Sequence, residues 1–89
     1  MLAALICIDK PDHLQTRLAT RPAHGDYLKQ TGVVAQAGPF LNEAGEMIGS
    51  LVILDVASLA DAEAWAAADP YAKAGLFESV TIREWKKVI

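Results

Sequence analysis

Cysteine is almost absent: Cys7 is the only one in 89 residues. A single thiol cannot staple the chain to itself, so a disulfide scaffold is excluded. Histidine is nearly as scarce, with His13 and His24 alone. Two histidines and one cysteine fall short of the four-ligand set of a structural zinc site, and no metal is expected. Lys and Arg number 8 against 11 Asp and Glu, for a net charge of −3. Only Lys86 and Lys87 are adjacent, so the basic stripe of a nucleic-acid groove is missing and nucleic acid is not an expected partner. No apolar stretch approaches the roughly 20 residues of a membrane-spanning helix. The apolar residues 2–8 lack a basic flank before them and meet Asp9 after them. They read as a strand and not as a signal peptide, which makes a cytoplasmic location the expectation. No GxGxxG, phosphate loop or GxSxG elbow occurs.

What is plentiful is apolar material, 53% of the chain. Disordered chains are polar and highly charged, so disorder is excluded as well. The length suits one domain, residues 1–89, and is too short for two. A domain of this size is only marginally stable on its own core. Surplus apolar surface on such a chain points first to a partner subunit.

Read along its length, the chain alternates strand and helix patterns. Residues 2–8 form a continuous apolar run, as in a strand covered on both faces. A helical pattern opens at Pro11–Asp12, with Leu14 and Leu18 one turn apart and Arg17 and Arg21 beside them. Pro22 predicts a break or kink, with Thr20 capping a second segment that carries His24, Tyr27 and Leu28 and stops at Gly32. Residues 33–40 read as a second strand ending at Gly38–Pro39. The turn chemistry of residues 42–45 then joins it as a hairpin to a third strand at 47–56. In that third strand Ile48, Ser50, Val52, Leu54 and Val56 share one face, and Met47, Leu51 and Ile53 the other. Ser58 starts a second helix in a box-like motif with Asp61; Leu59, Ala62 and Ala66 form its apolar face, with Trp65 on the flank. Asp69–Pro70 ends it, residues 70–75 are a tight connection, and residues 77–88 are the last strand.

The order β-α-β-β-α-β predicts an α+β, ferredoxin-like fold: a four-stranded antiparallel sheet with both helices on one face. The first and third strands then lie in the centre, which accounts for their two apolar sides. One side packs on the helices. The other asks for a cover, and a second copy placed sheet to sheet supplies it, so a homodimer is expected.

The chemistry-bearing residues are few. His24 shares a helix face with Arg17 and Arg21 at spacings of seven and three, and histidine is the commonest general acid or base. Asp69 sits at a helix C-terminus, where a carboxylate opposes the helix dipole. Side by side on the sheet, the two helices can bring His24 and Asp69 together, with Asp69 fixing the imidazole's tautomer. The plainer readings are a helix histidine that caps or packs and an Asp–Pro stop. Gly49 marks a bulge or a close approach in the third strand, and Ser50 beside it is a candidate donor to a ligand. Gly38–Pro39 either lines the same cavity or merely ends its strand. Cys7, inside a buried strand, reads as a small inert hydrophobe. Trp65 and Trp85 read as core or interface.

Taken together, Arg17, Arg21–Pro22–Ala23–His24, Gly38–Pro39, Gly49–Ser50, Trp65, Asp69–Pro70–Tyr71, Ala74–Gly75 and Lys86–Lys87–Val88 resemble the YCII (YciI-like) family, in order and across essentially the whole chain. The resemblance implies a dimeric α+β barrel on the ferredoxin-like fold, with an active site around the pair His24 and Asp69. It also implies small-molecule chemistry, such as halide elimination from chlorinated hydroquinones. The resulting expectation is a cofactor-free lyase or isomerase acting on a small cyclic or aromatic molecule. In it, His24 is the acid or base and Asp69 its orienter, Ser50 and Tyr71 are polar pocket groups, and Arg17 or Arg21 attracts an anionic substrate. The alternative is a non-catalytic dimeric binding or interaction module whose His–Asp pair serves stability. A monooxygenase on the same fold is a third, weaker reading.

Overall fold

In the computed structural model, which describes residues 1–89, the alternation of the apolar run at the N-terminus sets the first layer. Strand β1 (Leu2–Asp9) turns Ala3, Leu5 and Cys7 into the core. Leu2, Ala4, Ile6 and Ile8 therefore face the other side, as the period of two requires. The chain continues through α1 (Leu14–Thr31), β2 (Val34–Leu41), β3 (Met47–Asp55), α2 (Leu59–Ala68), α3 (Pro70–Lys73) and β4 (Phe77–Trp85). The four strands form one sheet in the order β2-β3-β1-β4, and every pairing is antiparallel. β1 and β3 are central and the helices cover one face, so the architecture is α+β and ferredoxin-like. The core between sheet and helices is built from Ala3, Leu5, Cys7, Val52, Leu54, Ala62 and Trp65. No helix is long and apolar enough to cross a membrane.

Several local expectations are corrected. Helix α1 runs unbroken through Pro22 and ends at Gly32 in the left-handed conformation. Arg17 and His24 are anchored inward on either side of the proline, and this tertiary fixation carries the helix across the one hydrogen bond that proline removes. The fully buried residues of α1 are both polar, Arg17 and His24; Tyr27 and Leu28 pack partly buried against the core, whereas Leu18 is 42% exposed. On α2, Ala62 and Trp65 are buried and Leu59 faces out. Trp65 Nε1 donates to Thr31 Oγ1 at 2.9 Å, and Tyr27 Oη donates to the Trp65 carbonyl at 2.8 Å. These two bonds satisfy the polar ends of the aromatic residues and tie α1 to α2. At the start of α2, Ser58 Oγ accepts from the Asp61 N–H at 3.1 Å, one half of a capping box. Residues 70–73 form the short helix α3 inside the expected connection, and β4 stops at Trp85.

Register explains the remaining differences. β2 passes through Gly38 and Pro39 and continues to Leu41; as an edge strand it tolerates a proline. Opposite it, the β2–β3 register shifts between Phe40 and Leu41, so that Phe40 pairs with Gly49 and Leu41 with Met47. Ile48 is the extra residue of this bulge. It points out, 44% exposed, and does not share the inward face of Val52 and Leu54. Gly49 is a close approach: a Cβ there would collide with the Cys7 carbonyl oxygen and come 3.2 Å from Phe40 Cδ2. Gly49→Ala is therefore expected to destabilise the domain by about 1–3 kcal/mol, the usual range for overpacking. The readout is a lower thermal midpoint, by roughly 4–8 °C per kcal/mol for a domain of this size. A variant that melts with the wild type would show that β1 and β3 part easily at this point.

Candidate active site

Four polar or charged residues are buried in the molecule: Arg17, His24, Ser50 and Asp69. All four meet in one network between α1, the central strands and the α2–α3 junction. The network begins at the end of β1. Asp9 continues the inward alternation of Ala3, Leu5 and Cys7, which carries its carboxylate under α1. Arg17 Nε donates to Asp9 Oδ2 at 2.7 Å and Nη2 donates to Asp9 Oδ1 at 2.8 Å. The side chains are only 2% and 5% exposed, so this is a buried bidentate ion pair. Burial works against the Arg17 charge, but the hydrogen bonds and charge of Asp9 outweigh it and hold the guanidinium above its usual range. Nη2 also donates to Ser50 Oγ at 2.9 Å. Ser50 thus spends a lone pair on a cation and keeps its own proton to donate.

The second half of the network is built at Asp69. This residue ends α2 and caps α3, where its Oδ1 accepts from the Tyr71 N–H at 3.0 Å. A carboxylate at the end of one helix is thereby also at the start of the next, which offsets the unfavourable dipole of the first. The same Oδ1 lies 2.8 Å from His24 Nδ1. An ionised carboxylate can only accept, so Nδ1 carries the proton and Nε2 is the free ring nitrogen. Tyr71 joins the two halves. The His24 ring stacks on it with centroids 3.9 Å apart at 17°, and Arg17 Cζ lies 4.6 Å from the centre of the same ring. Burial pushes the Tyr71 phenol up, against the pull of Arg17 and Arg21, so it remains a neutral donor. Burial likewise pushes the Cys7 thiol up to about 12, so no thiolate nucleophile is present at neutral pH.

These groups border a cavity of about 280 Å³ between α1, β2 and β3, just below the usual range for ligand pockets. Arg17, Arg21, His24, Gly38, Pro39, Ser50 and Tyr71 all line it. Asp69 stands behind His24. Arg17 and Arg21 differ in kind: Arg17 is neutralised by Asp9, whereas Arg21 is exposed and forms no ion pair. The unpaired positive charge at the rim is therefore that of Arg21. His13 is apart from the site, with Nδ1 2.8 Å from the Pro11 carbonyl. Asp9 looks in the sequence like no more than the boundary of the first strand; its odd-numbered place in the inward series of β1 is the signal that it belongs to the site. No group of three or more His, Cys, Asp or Glu side chains is placed to hold a metal ion.

Removing one partner of a buried ion pair strands the other, typically at about 3–5 kcal/mol. Arg17→Met is expected to lose stability in that range by denaturant unfolding. The double variant Arg17→Met, Asp9→Ala is expected to recover part of the loss, because it leaves no buried charge alone. A single variant as stable as the wild type would mean that solvent reaches Asp9.

Comparison with known proteins places this arrangement. Residues 1–86 match the model of the YCII-related domain. The protein YciI of Escherichia coli O6:H1 (strain CFT073) is 41% identical over 97 aligned positions, covering 99% of each chain. Among solved structures, 5-chloro-2-hydroxyhydroquinone dehydrochlorinase (TftG) from Burkholderia phenoliruptrix AC1100, in complex with 2,5-dihydroxybenzoquinone, superposes with a TM-score of 0.88. It is 30% identical, and the match covers 97% of this chain and 94% of that one. An antibiotic biosynthesis monooxygenase, 12% identical and covered in full on both sides, aligns with a TM-score of 0.62 and shares the fold alone. On the match along nearly its whole length and on these relatives, the chain belongs to the YCII-related domain family.

Proposed function

We propose that the cavity is the active site of a cofactor-free enzyme that moves protons on a small cyclic or aromatic substrate. The observation that carries this reading is the His24 Nδ1–Asp69 Oδ1 contact of 2.8 Å at the wall of a ligand-sized cavity. With Nδ1 held by Asp69, Nε2 accepts a proton from the substrate, and the carboxylate balances the imidazolium that forms. Ser50 and Tyr71 donate to a substrate oxygen, and Arg21 draws an anionic substrate to the rim. In an elimination the ring first ketonises by taking a proton at the carbon that bears the leaving group, and the electron pair left by a departing hydroxyl proton then moves through the ring and expels that group. In an isomerisation the electron pair takes back a proton at another carbon from the His24 imidazolium. A relative that is a dehydrochlorinase, 30% identical to this chain, supports the elimination.

Positioned acid–base catalysis contributes typically about 10²–10⁴-fold. His24→Ala is expected to lower turnover by that factor in a chloride-release assay with 5-chloro-2-hydroxyhydroquinone. Turnover that is unchanged in the variant would remove His24 from the mechanism. A binding module without catalysis is the second reading, and it is favoured by one observation: every buried side-chain nitrogen and oxygen has a hydrogen-bond partner. On that reading His24→Ala and Asp69→Asn melt far below the wild type and no chloride is released by any of the three.

The open face of the sheet bears on the assembly. Ile6, Ile8, Leu51 and Trp85 on that face are 38–41% exposed. A second copy meeting it sheet to sheet would cover them and complete a dimeric barrel. Sedimentation at micromolar concentration is expected to give a dimer; a stable monomer would overturn this arrangement.

A further inference from the structure

The chain has six glycines. Gly32, Gly45 and Gly75 hold left-handed backbone, and Gly49 leaves room for the Cys7 carbonyl. Gly25 and Gly38 meet neither demand: both have ordinary φ, and a Cβ at either would touch nothing within 4 Å. Both border the cavity. They differ in direction. Gly38 pairs with Leu51, so its missing side chain belongs to the open face of the sheet. Gly25 lies in the interior of α1, four residues after Arg21 and three before Leu28. Those spacings put the three on one helical row, and Arg21 and Leu28 both line the cavity. A side chain at position 25 would therefore project into the cavity, next to His24.

Glycine is the less stable choice inside a helix, because it gives up more conformational freedom than alanine on folding. Neither backbone shape nor packing requires it here. We propose that Gly25 is the specificity-determining position of this cavity. Its missing side chain leaves a recess between Arg21 and Leu28, beside the imidazole, that admits a second ring or a bulky substituent on a cyclic ligand. The recess extends the proposed active site, and the inference rests on the reading of that cavity as a ring-binding site.

The test uses the full chain, Gly25→Ala and Gly25→Leu, with two probes: 2,5-dihydroxybenzoquinone, a single ring, and 2-hydroxy-1,4-naphthoquinone, a fused pair. Melting is measured without ligand and binding by calorimetry. Gly25→Ala is expected to melt roughly 2–6 °C above the wild type, since alanine is the better helix former. Gly25→Leu is expected to bind the single ring within about threefold of the wild type and the fused pair at least tenfold more weakly. A Gly25→Ala variant that melts below the wild type would overturn the proposal, because the glycine would then serve the helix near Pro22. Equal binding of the fused pair by Gly25→Leu and the wild type would overturn it while leaving the ring-binding site intact. A wild type that binds neither probe would overturn the ring-binding reading itself, and this inference with it.

Discussion

A charge inside a domain of 89 residues must be matched almost completely, and the Asp9–Arg17 pair is where this protein meets that demand. The pair sits with both side chains nearly inaccessible, at the junction of the first strand and the first helix. Desolvating two ions is expensive, and the attraction between them repays it only when the geometry is good and the remaining donors are used. Here the contact is bidentate, and the second N–H of Arg17 Nη2 goes to Ser50. Everything else in the cluster is arranged against this fixed cation. Tyr71 lies against it, His24 stacks on Tyr71, and Asp69 holds both the imidazole and the Tyr71 backbone. The ion pair thus acts as a rigid post in the N-terminal half of a helix whose apolar contacts with the core, Tyr27 and Leu28, lie toward its other end.

The polar anchors of that helix also decide how much of the molecule is legible in the sequence. The strands show themselves because alternation and continuous apolar runs report burial directly; the central positions of β1 and β3 follow from their two apolar sides. Helix α1 is harder. A reading by apolar period favours Leu14 and Leu18, yet the side that meets the sheet carries Arg17 and His24, and Leu18 is left in solvent. Pro22 reinforces the misreading, since local propensity cannot register the anchoring on either side of it. The bulge at Ile48 is equally invisible, because a one-residue shift in pairing changes which face a side chain takes without changing composition.

The site itself was legible in its parts and not in its joints. His24, Ser50, Tyr71 and the two arginines carry recognisable chemistry, and their spacing on α1 places three of them on one side. The contact between His24 and Asp69 joins positions 45 apart in the chain. It depends on the turn of helix at residues 70–73, which makes a helix end into a helix start. Nothing in the local pattern announces that turn beyond Asp–Pro. The wider fold group shows why these joints matter: a chain 12% identical shares the architecture, so the layers alone do not determine chemistry, and function follows from the few side chains placed on them.

Pro39 has a further consequence, at the margin of the sheet. β2 is an edge strand, and exposed edges invite other chains to add on by backbone pairing, the route to aggregation. A proline offers no N–H to an incoming strand, and the irregular pairing at both ends of β2 spoils the flat template that such addition needs. The residue that walls the cavity therefore also interrupts the edge against runaway polymerisation. Protection of the edge and the shape of the cavity are for this reason written into the same short stretch of backbone, and a substitution made to reshape the cavity at Pro39 would also unblock that edge.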